Sequence, residues 1–343
     1  MPATEKDAVF YLGCDLGGTN MRAAVVNVET GAVSPFVKKL THAHEAPEAI
    51  IARMAKLFEA AISASGIPAS AIHGAGVGVP GRVDYETGET RFLPNFHGNW
   101  PDVPLAKRLR ELTGLPAHLI NDVRSITLGE WQFGAGKGVD TLACFAIGTG
   151  IGGGLVIRNR LHLGLLGSAG ELGHLIIDAS QDAPVCGCGA RGCVEAYASG
   201  PQIAARGVRA VMQGRTTLIG ELAGHDLNKI TPALICKAAQ GGDPVALEIY
   251  DEAGYHLGIA VASLVVALAP KMVIFGGGVA AAGELLLGPV RRALTERVHM
   301  LPPEKVKLVQ ALLGDEAGIA GAAGWAYLRT EKGYDVSEEV KVL

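Results

Sequence analysis

Four residues that commonly bind zinc lie close together near the middle of the chain: His174, Cys186, Cys188 and Cys193. Three thiolates and one imidazole complete a tetrahedral Cys3His set, the pattern of a closed structural site that leaves no position for water. Glycines between and beside the cysteines allow the tight turns that bring the three sulfurs to one point. The alternative is buried cysteines or disulfides, but such close spacing is rare for packing alone. The spacing therefore predicts a zinc-bearing loop.

Composition limits the classes of protein that the chain can belong to. It has 343 residues, of which 49% are hydrophobic and 47 are glycine, enough for two domains with their own cores. A net charge of −4 gives no electrostatic reason to expect nucleic acid or an anionic membrane as a partner. No segment has the pattern of a signal peptide, and the longest apolar stretch, residues 257–270, is too short to span a bilayer. Because the remaining cysteines are scattered, which fits a reducing compartment, we expect a soluble cytoplasmic protein.

Short β-branched runs alternate with longer helical patterns, which predicts an α/β fold whose sheets are covered by helices. Strands are predicted over residues 9–15, 23–27, 74–79, 118–121, 141–147, 153–157 and 272–275. Helices are predicted over residues 47–65, 104–113, 123–133, 194–198, 201–213, 231–241, 244–268 and 317–328. The last helix is rich in small residues, and we expect it to pack against the N-terminal part of the chain. We expect a boundary between two lobes at the strand-to-helix junction of residues 120–127.

Three glycine-rich turns each follow a predicted strand, and glycine allows backbone N–H groups to approach phosphate oxygens closely. The first turn begins at Asp15, and its candidates for phosphate binding are Gly17, Gly18, Thr19 and Asn20. The second and third turns offer Gly148, Thr149, Gly150, Gly276, Gly277 and Gly278. Simple hairpin turns are the alternative for each turn taken singly, since neither the Walker A nor the Rossmann pattern is met. Two such turns with an aspartate in front favour a nucleotide site, in which Asp15 holds Mg2+ through water.

These motifs together resemble one known family. The sequences DLGGTNMR, GTGIGGG, ExGH and CxCGxxGCxE, with PN at residues 94–95 and ND at residues 121–122, are similar to those of the ROK family of sugar kinases and repressors. The resemblance covers residues 11–328, and the run LPNFHGNWPDVPLAKRL is most similar to bacterial glucokinases. It implies a two-lobed, actin-like or hexokinase-like α/β fold of the ribonuclease H-like type with mixed sheets. We expect a smaller lobe of residues 1–122, completed by residues 317–343, and a larger lobe of residues 123–316.

The resemblance implies an ATP-dependent kinase that converts glucose to glucose 6-phosphate. Asp122 would be the general base that accepts the hydroxyl proton, with Mg2+ neutralising the phosphates. The third glycine turn would face adenosine, and His174 would give one ring nitrogen to zinc and the other to the sugar. The family also implies a homodimer. The implied sugar contacts are Gly81, Asn95, Asn121, Asp122, Glu171, His174 and Glu195.

Several alternatives remain open at this level. Asp122 could simply cap the helix that follows it. The family pattern has small residues after the base, whereas Arg124 stands here and either lies on the surface or reaches a phosphate. The loop at residues 97–100 is also one residue longer than in the glucokinase pattern. Other substrates are a different hexose or an N-acetylhexosamine, with polyphosphate as another donor. A sugar sensor is less expected because Asp122 is present, and a repressor is less expected because a DNA-binding segment would have to precede Asp15.

Overall fold

The computed structural model of the protein describes residues 8–334 and residue 336, so the first seven and last seven residues of the predicted smaller lobe lie outside the described part. The described chain is an α/β fold with two five-stranded sheets and one short hairpin. The strands are β1 (Phe10–Leu16), β2 (Asn20–Asn27), β3 (Val37–Leu40), β4 (Ile72–Val79), β5 (Arg82–Asp84), β6 (Glu89–Phe92), β7 (Ala117–Asn121), β8 (Leu142–Ile147), β9 (Ile151–Ile157), β10 (Arg160–His162), β11 (Met272–Gly276) and β12 (Lys307–Gln310). The helices are α1 (Pro47–Ser65), α2 (Leu105–Thr113), α3 (Asp122–Gln132), α4 (Glu195–Ala198), α5 (Gly200–Met212), α6 (Leu218–Leu222), α7 (Pro232–Gln240), α8 (Pro244–Leu268), α9 (Glu284–Arg297) and α10 (Ala317–Thr330).

The two large sheets are mixed and have the same plan. The first has the order β3-β2-β1-β4-β7, in which β1 and β2 are antiparallel while β4 runs parallel to both β1 and β7. The second has the order β10-β9-β8-β11-β12, with antiparallel β9 and β10 and with β11 parallel to β8 and β12. In each sheet a glycine-rich turn joins the first two strands in chain order.

The described chain divides into two compact units. Unit 1 consists of residues 8–140, 154–170 and the described residues from 312 onward, and unit 2 consists of residues 141–153 and 171–311. The first boundary lies at Asp140 rather than at Asp122 as expected, because α3 packs along α10 and belongs to unit 1. The predicted larger lobe, residues 123–316, also includes residues 154–170, which the structure assigns to unit 1.

Unit 1 is a sheet covered on both faces. Side chains such as Leu12 and Val77 point to the face covered by α1 and α2, whereas Tyr11 packs against α10 on the other face. A Cβ atom at Gly13 or Gly76 would overlap a backbone carbonyl oxygen of α10, so helix and sheet approach at backbone distance. This contact explains why α10 is rich in small residues, and it places that helix on the N-terminal strands.

Unit 2 is built around the long helix α8, which packs against α4, α5, α7 and α9. By length and composition, α8 is the one helix among the described residues that could cross a membrane. Its most apolar 18-residue window has a mean hydropathy of 1.3, and 50% of that window is buried inside the protein. The core helix of a globular unit meets the same criterion. Gly254 and Gly258 let α9 approach closely, because a Cβ at either position would press on Pro289 or Ala293.

Most predicted elements have the bounds that the sequence pattern gives. The helices at residues 47–65 and 244–268 are confirmed with their limits, and the other predicted elements differ by at most three residues at an end. The pattern misses α6, α9 and five short strands. Proline inside a helix is normally disruptive, and Pro289 interrupts the helical pattern of α9. The missed strands have three or four residues, too few for a periodic signal.

Candidate active site

The first glycine turn joins β1 to β2 and is held by a neighbouring segment. The N–H of Gly17 donates to the carbonyl of Asn20 at 2.9 Å, and Thr41 binds the turn twice, through its hydroxyl to Gly17 O at 2.6 Å and its N–H to Thr19 O at 2.9 Å. In front of the turn, Asp15 forms an ion pair with Arg22, its partner across the strands, at 2.7 Å. The guanidinium of Arg22 therefore binds a carboxylate beside the turn.

The junction of β7 and α3 is organised by Asn121. Its side-chain oxygen accepts bonds from the N–H groups of Val123 and Arg124, both at 3.1 Å, which makes it the N-cap of α3. Its amide nitrogen donates to the carbonyl of Gly81 at 3.0 Å. Asn121, and not Asp122, is therefore the N-cap of α3, so the alternative in which Asp122 caps the helix is wrong. Asp122 is the first residue of α3, and its Oδ1 accepts a bond from Val123 N at 2.9 Å.

Arg124 is buried, with 2% of its surface exposed, so of the two alternatives the surface position is wrong. Its guanidinium donates to the carbonyl of Ala169 through two nitrogens, at 2.8 and 3.1 Å, and to the side-chain oxygen of Asn121 at 3.1 Å. The side chain thus joins the start of α3 to residues 154–170 within unit 1. Sequence spacing could not predict this contact, because Ala169 is 45 positions away.

Four predicted site residues of unit 1 form a continuous row. Asn121 binds Gly81, a Cβ at Gly81 would lie 2.7 Å from Pro94 Cδ, and a Cβ at Gly18 would lie 3.8 Å from Asn95 Cβ. Gly81 has a φ of +89° and Asn95 has a φ of +69°, conformations in which glycine and asparagine are common. The row places amide and backbone polar groups next to the first glycine turn.

The longer loop after Asn95 is anchored to unit 1 by Trp100 and by a backbone bond of His97. Trp100 is buried, stacks edge-on against Phe96 with ring centroids 5.2 Å apart, and accepts a bond from Thr90 through its carbonyl at 2.7 Å. His97 donates its N–H to Ala43 O at 2.8 Å. Within residues 97–100, Trp100 therefore packs into the core of unit 1, whereas residues 97–99 are exposed.

In unit 2, the second and third glycine turns meet. The N–H of Gly148 binds Gly150 O at 2.9 Å, and Val279 donates its N–H to Ile147 O at 3.1 Å. Gly277, with a φ of +84°, lies against the same carbonyl so closely that a Cβ would overlap it. Gly276 is the last residue of β11, and a Cβ at Gly278 would meet no atom within 4 Å.

A pocket of about 400 Å³ opens beside these two turns. The N-termini of α5 and α7 contribute to its wall, and helix N-termini favour anionic groups because their N–H groups are unpaired. The α5 N-terminus is joined to the second turn, since Gly200 donates its N–H to Gly148 O at 2.8 Å. The lining residues are Gly148, Thr149, Gly200, Pro201, Ala204, Ile230, Thr231, Pro232, Ala233, Gly278 and Val279.

The four predicted zinc ligands converge. One ligand atom from each of His174, Cys186, Cys188 and Cys193 lies within 4.8 Å of the others. The two sulfurs of Cys188 and Cys193 are 3.8 Å apart, and His174 Nδ1 is 3.6 Å from the sulfur of Cys186. Around a tetrahedral zinc, with bonds of about 2.3 Å to sulfur and about 2.05 Å to nitrogen, these two edges would be about 3.8 Å and about 3.6 Å. The residues therefore fit a tetrahedral metal.

The protein environment shifts the pKa values of the three thiols in different directions. Burial raises the pKa of Cys186 to about 12 and also raises the pKa of Cys193. The backbone N–H of Ala190 lowers the pKa of the exposed Cys188, because a hydrogen bond favours the thiolate. A cation among these sulfurs would favour all three thiolates.

Glu195 lies between the cysteine cluster and the second glycine turn. Its Oε2 accepts a bond from Ile151 N at 2.8 Å, and its Oε1 lies 3.4 Å from the sulfur of Cys186. The other predicted carboxylate, Glu171, is exposed, and its carbonyl accepts a bond from His174 N at 3.0 Å. The structure thus brings His174, Glu195 and the second turn into one connected set within unit 2.

Sequence analysis missed Glu130, which is fully buried in unit 1. Its two carboxylate oxygens accept backbone N–H bonds from Ala135, Leu312 and Leu313 at 2.7 to 3.0 Å. The only sequence signal is a glutamate in an otherwise apolar part of α3. Its partners at residues 312–313 lie 182 and 183 positions away and give no local pattern.

Comparison with known proteins is consistent across sequence and structure. The ROK family profile matches residues 11–328. The chain is 36% identical over 312 residues to a glucokinase of Thermotoga maritima, covering 91% of this chain and 95% of that protein. It is 32% identical over 316 residues to a xylose repressor of Caldicellulosiruptor bescii, covering 92% of this chain and 77% of the repressor. A crystal structure of a ROK glucokinase from Streptomyces griseus with glucose and AMPPNP superposes with a TM-score of 0.75 at 33% identity, covering 92% and 98% of the two chains.

Proposed function

Because the chain belongs to the ROK family, we propose that it is an ATP-dependent sugar kinase that phosphorylates glucose to glucose 6-phosphate. The observation that carries the proposal is the β7–α3 junction, where Asn121 caps the helix and Asp122 follows it. The glucokinase relatives, at 31–36% identity over most of the chain, support glucose as the substrate.

Asp122 would act as the general base. Asn121 accepts bonds from two of the N–H groups at the start of α3, so Asp122 is not required as the N-cap. A base of this kind would take the proton from the sugar hydroxyl as the phosphoryl group is transferred, and it contributes about 10² to 10⁴ in rate.

Candidate sugar-binding groups are present in each unit taken by itself. In unit 1 the candidates are Gly81, Asn95 and Asn121, and the row that they form supports this assignment. In unit 2 the candidates are Glu171, His174 and Glu195. Asn121 uses its oxygen for α3 and Arg124, so its contribution to a sugar would come through its amide nitrogen.

ATP would bind with its adenosine in the pocket beside residues 276–278. In unit 2 the candidates for phosphate contacts are Gly148, Thr149 and Gly150 of the second turn. In unit 1 the candidates are Gly17, Gly18, Thr19 and Asn20 of the first turn. Asp15 is paired with Arg22 through one oxygen, and the carboxylate suits the one or two protein ligands that a hydrated Mg2+ takes. When bound, Mg2+ would neutralise the developing charge on the transferred phosphate.

We propose a structural zinc ion on His174, Cys186, Cys188 and Cys193. The support is the fit of the two measured edges to a tetrahedron. Because Glu195 contacts both Cys186 and the N–H of Ile151, the ion would also fix the carboxylate at the second glycine turn. The homodimer that the resemblance implies belongs to the same proposal, and light scattering on the purified protein tests it.

The first test is a coupled assay of ADP release with Mg-ATP and a panel of sugars. We expect the highest kcat/KM for glucose over mannose, fructose, N-acetylglucosamine and N-acetylmannosamine. A preference for another sugar would replace the substrate but keep the kinase. Absence of turnover with every sugar, and with polyphosphate as donor, would contradict the kinase and favour a sugar sensor.

The base is tested by Asp122→Asn, which keeps the size of the side chain. We expect kcat to fall by about 10² to 10⁴ with glucose affinity retained, because the amide cannot accept the proton. Asp251→Asn on α8, which removes a half-exposed surface ion pair with Arg292 of α9, is the matched control and should keep kcat. Turnover of Asp122→Asn within a few fold of the unmodified protein would overturn the assignment.

A further inference from the structure

A second group of metal-binding side chains lies in unit 1, in the segment between β3 and α1. One ligand atom from each of His42, His44 and Glu45 lies within 4.8 Å of the other two. Both histidines are exposed and Glu45 is partly buried. Two imidazoles and one carboxylate form the three-ligand set that protein sites with open coordination positions use for zinc. None of the functions proposed above uses these residues.

The backbone of this segment is held in an unusual conformation. His42 has a φ of +54°, in the left-handed region that few residues other than glycine adopt. Such a conformation persists only where surrounding contacts enforce it, and it often marks a functional site. Here the N–H of Glu45 closes a turn onto His42 O at 2.9 Å, which brings the two ends of the three-ligand segment together.

Contacts on both sides fix the segment in place. Arg53 of α1 donates to the carbonyl of Thr41 at 2.7 Å and to Oε2 of Glu45 at 2.6 Å. The carbonyl of Ala43 accepts a bond from His97 N at 2.8 Å. The same Arg53 bond orients Glu45 while the carboxylate retains Oε1 as a ligand atom. The three side chains therefore project from a backbone that is already ordered, which reduces the entropy lost when an ion binds.

We propose that His42, His44 and Glu45 form a second metal site, which takes one divalent transition ion such as Zn2+ or Ni2+. Imidazole nitrogens select such ions over Mg2+ and Ca2+, which prefer oxygen ligands. Ligands at about 2.1 Å from a tetrahedral zinc lie about 3.4 Å apart. The ligand atoms lie within 4.8 Å of one another, so the exposed histidines would rotate to reach that spacing when the ion binds. Arg53 keeps its bond to Glu45, and its charge makes this site weaker than the Cys3His site.

A bound ion would act on the first glycine turn through Thr41. Thr41 precedes His42 and binds the carbonyls of Gly17 and Thr19. Tying His42 to Glu45 through an ion would therefore restrain the residue that holds the turn. The measurable consequence is slower amide exchange in residues 37–46 when the ion is present, because the N–H of Thr41 donates to Thr19 O.

The experiment is titration calorimetry with Ni2+ on the intact protein, comparing the unmodified chain with His44→Ala. We expect the unmodified protein to bind one more Ni2+ than the variant, or to bind that ion at least tenfold more tightly. The result is the difference in Ni2+ binding between the unmodified protein and His44→Ala. Both proteins carry the same Cys3His residues, so this difference does not depend on whether that site holds a metal. His225→Ala is the matched control, because His225 is also exposed and also has a positive φ, of +59°.

Amide exchange separates a built site from chance binding by a surface histidine. Ni2+ should slow exchange in residues 37–46 of the unmodified protein and of His225→Ala, and should leave His44→Ala unchanged. Equal melting temperatures of the metal-free proteins check that His44→Ala is folded, and Glu45→Gln supplies a second variant if it is not. Identical Ni2+ stoichiometry and affinity in all variants, or binding without slower exchange, would overturn the proposal.

Discussion

Replacing Asn121 by alanine should destabilise unit 1 strongly, because this one side chain makes four hydrogen bonds. Loss of a helix N-cap costs about 1 kcal/mol. Loss of the bond to Gly81 adds about 1 kcal/mol, and loss of the bond from the charged, buried Arg124 adds about 1.5 to 3 kcal/mol. Since such contributions are not fully additive, we expect the free energy of unfolding to fall by about 3 to 5 kcal/mol.

Tryptophan fluorescence in urea is the suitable assay. The chain has three tryptophans, Trp100, Trp131 and Trp325, and all of them lie in unit 1. Their emission therefore follows the unit that contains the change, and the midpoint and slope of the transition give the free energy of unfolding. Asn121→Asp is the control, because the carboxylate keeps the cap and the contact with Arg124, and we expect a loss of about 1 kcal/mol or less.

A double-mutant cycle with Arg124→Met isolates the contact between the two side chains. Their coupling energy should be about 1 kcal/mol or more, since the bond joins a buried charge to its partner. A total loss below about 1 kcal/mol for Asn121→Ala, or a coupling near zero, would refute the view that Asn121 supports Arg124.

Three further predictions concern the metal, the nucleotide and the fold. Cys188→Ser should lower the zinc content measured by mass spectrometry and raise KM for the sugar more than KM for ATP. The control Cys236→Ser, outside the cluster, should change neither the zinc content nor the KM values. Full zinc retention in Cys188→Ser would contradict the proposed zinc site. Gly278→Ala should raise KM for ATP at constant melting temperature, because Gly278 lines the pocket and a Cβ there would have no protein atom within 4 Å. An unchanged KM would contradict the placement of adenosine in this pocket. Gly76→Ala should cost about 3 kcal/mol in urea unfolding, since its Cβ would overlap the carbonyl of Ala322; a cost below about 1 kcal/mol would show that α10 adapts.

Local sequence patterns predicted much of this structure. The α3 helix begins one residue before its predicted start. Its start is predictable because both signals for it, a polar N-cap residue and an apolar periodicity, come from residues that are close in sequence. The convergence of His174 with the three cysteines was also predictable, since the glycines and the short spacing restrict the path of the loop. In each case the interacting groups are close in sequence.

Contacts between distant segments were not predictable in the same way. The environment of Arg124 depends on a carbonyl in residues 154–170, and that of Glu130 depends on residues 312–313. A charged residue on a helix is most often solvated, so its burial is determined only by the assembled tertiary structure. The assignment of residues 154–170 to unit 1 was not predicted for the same reason.

The backbone contact between α10 and the first sheet has a consequence for synthesis on the ribosome. Residues 8–140 emerge first, but the helix that covers their glycine-lined face emerges only after residues 171–311 of unit 2. The unit that is made first is therefore completed last, although domains generally fold in the order in which they are translated. Nascent chains should expose the Gly13 and Gly76 face throughout that interval, so they should bind holdase chaperones until α10 is released.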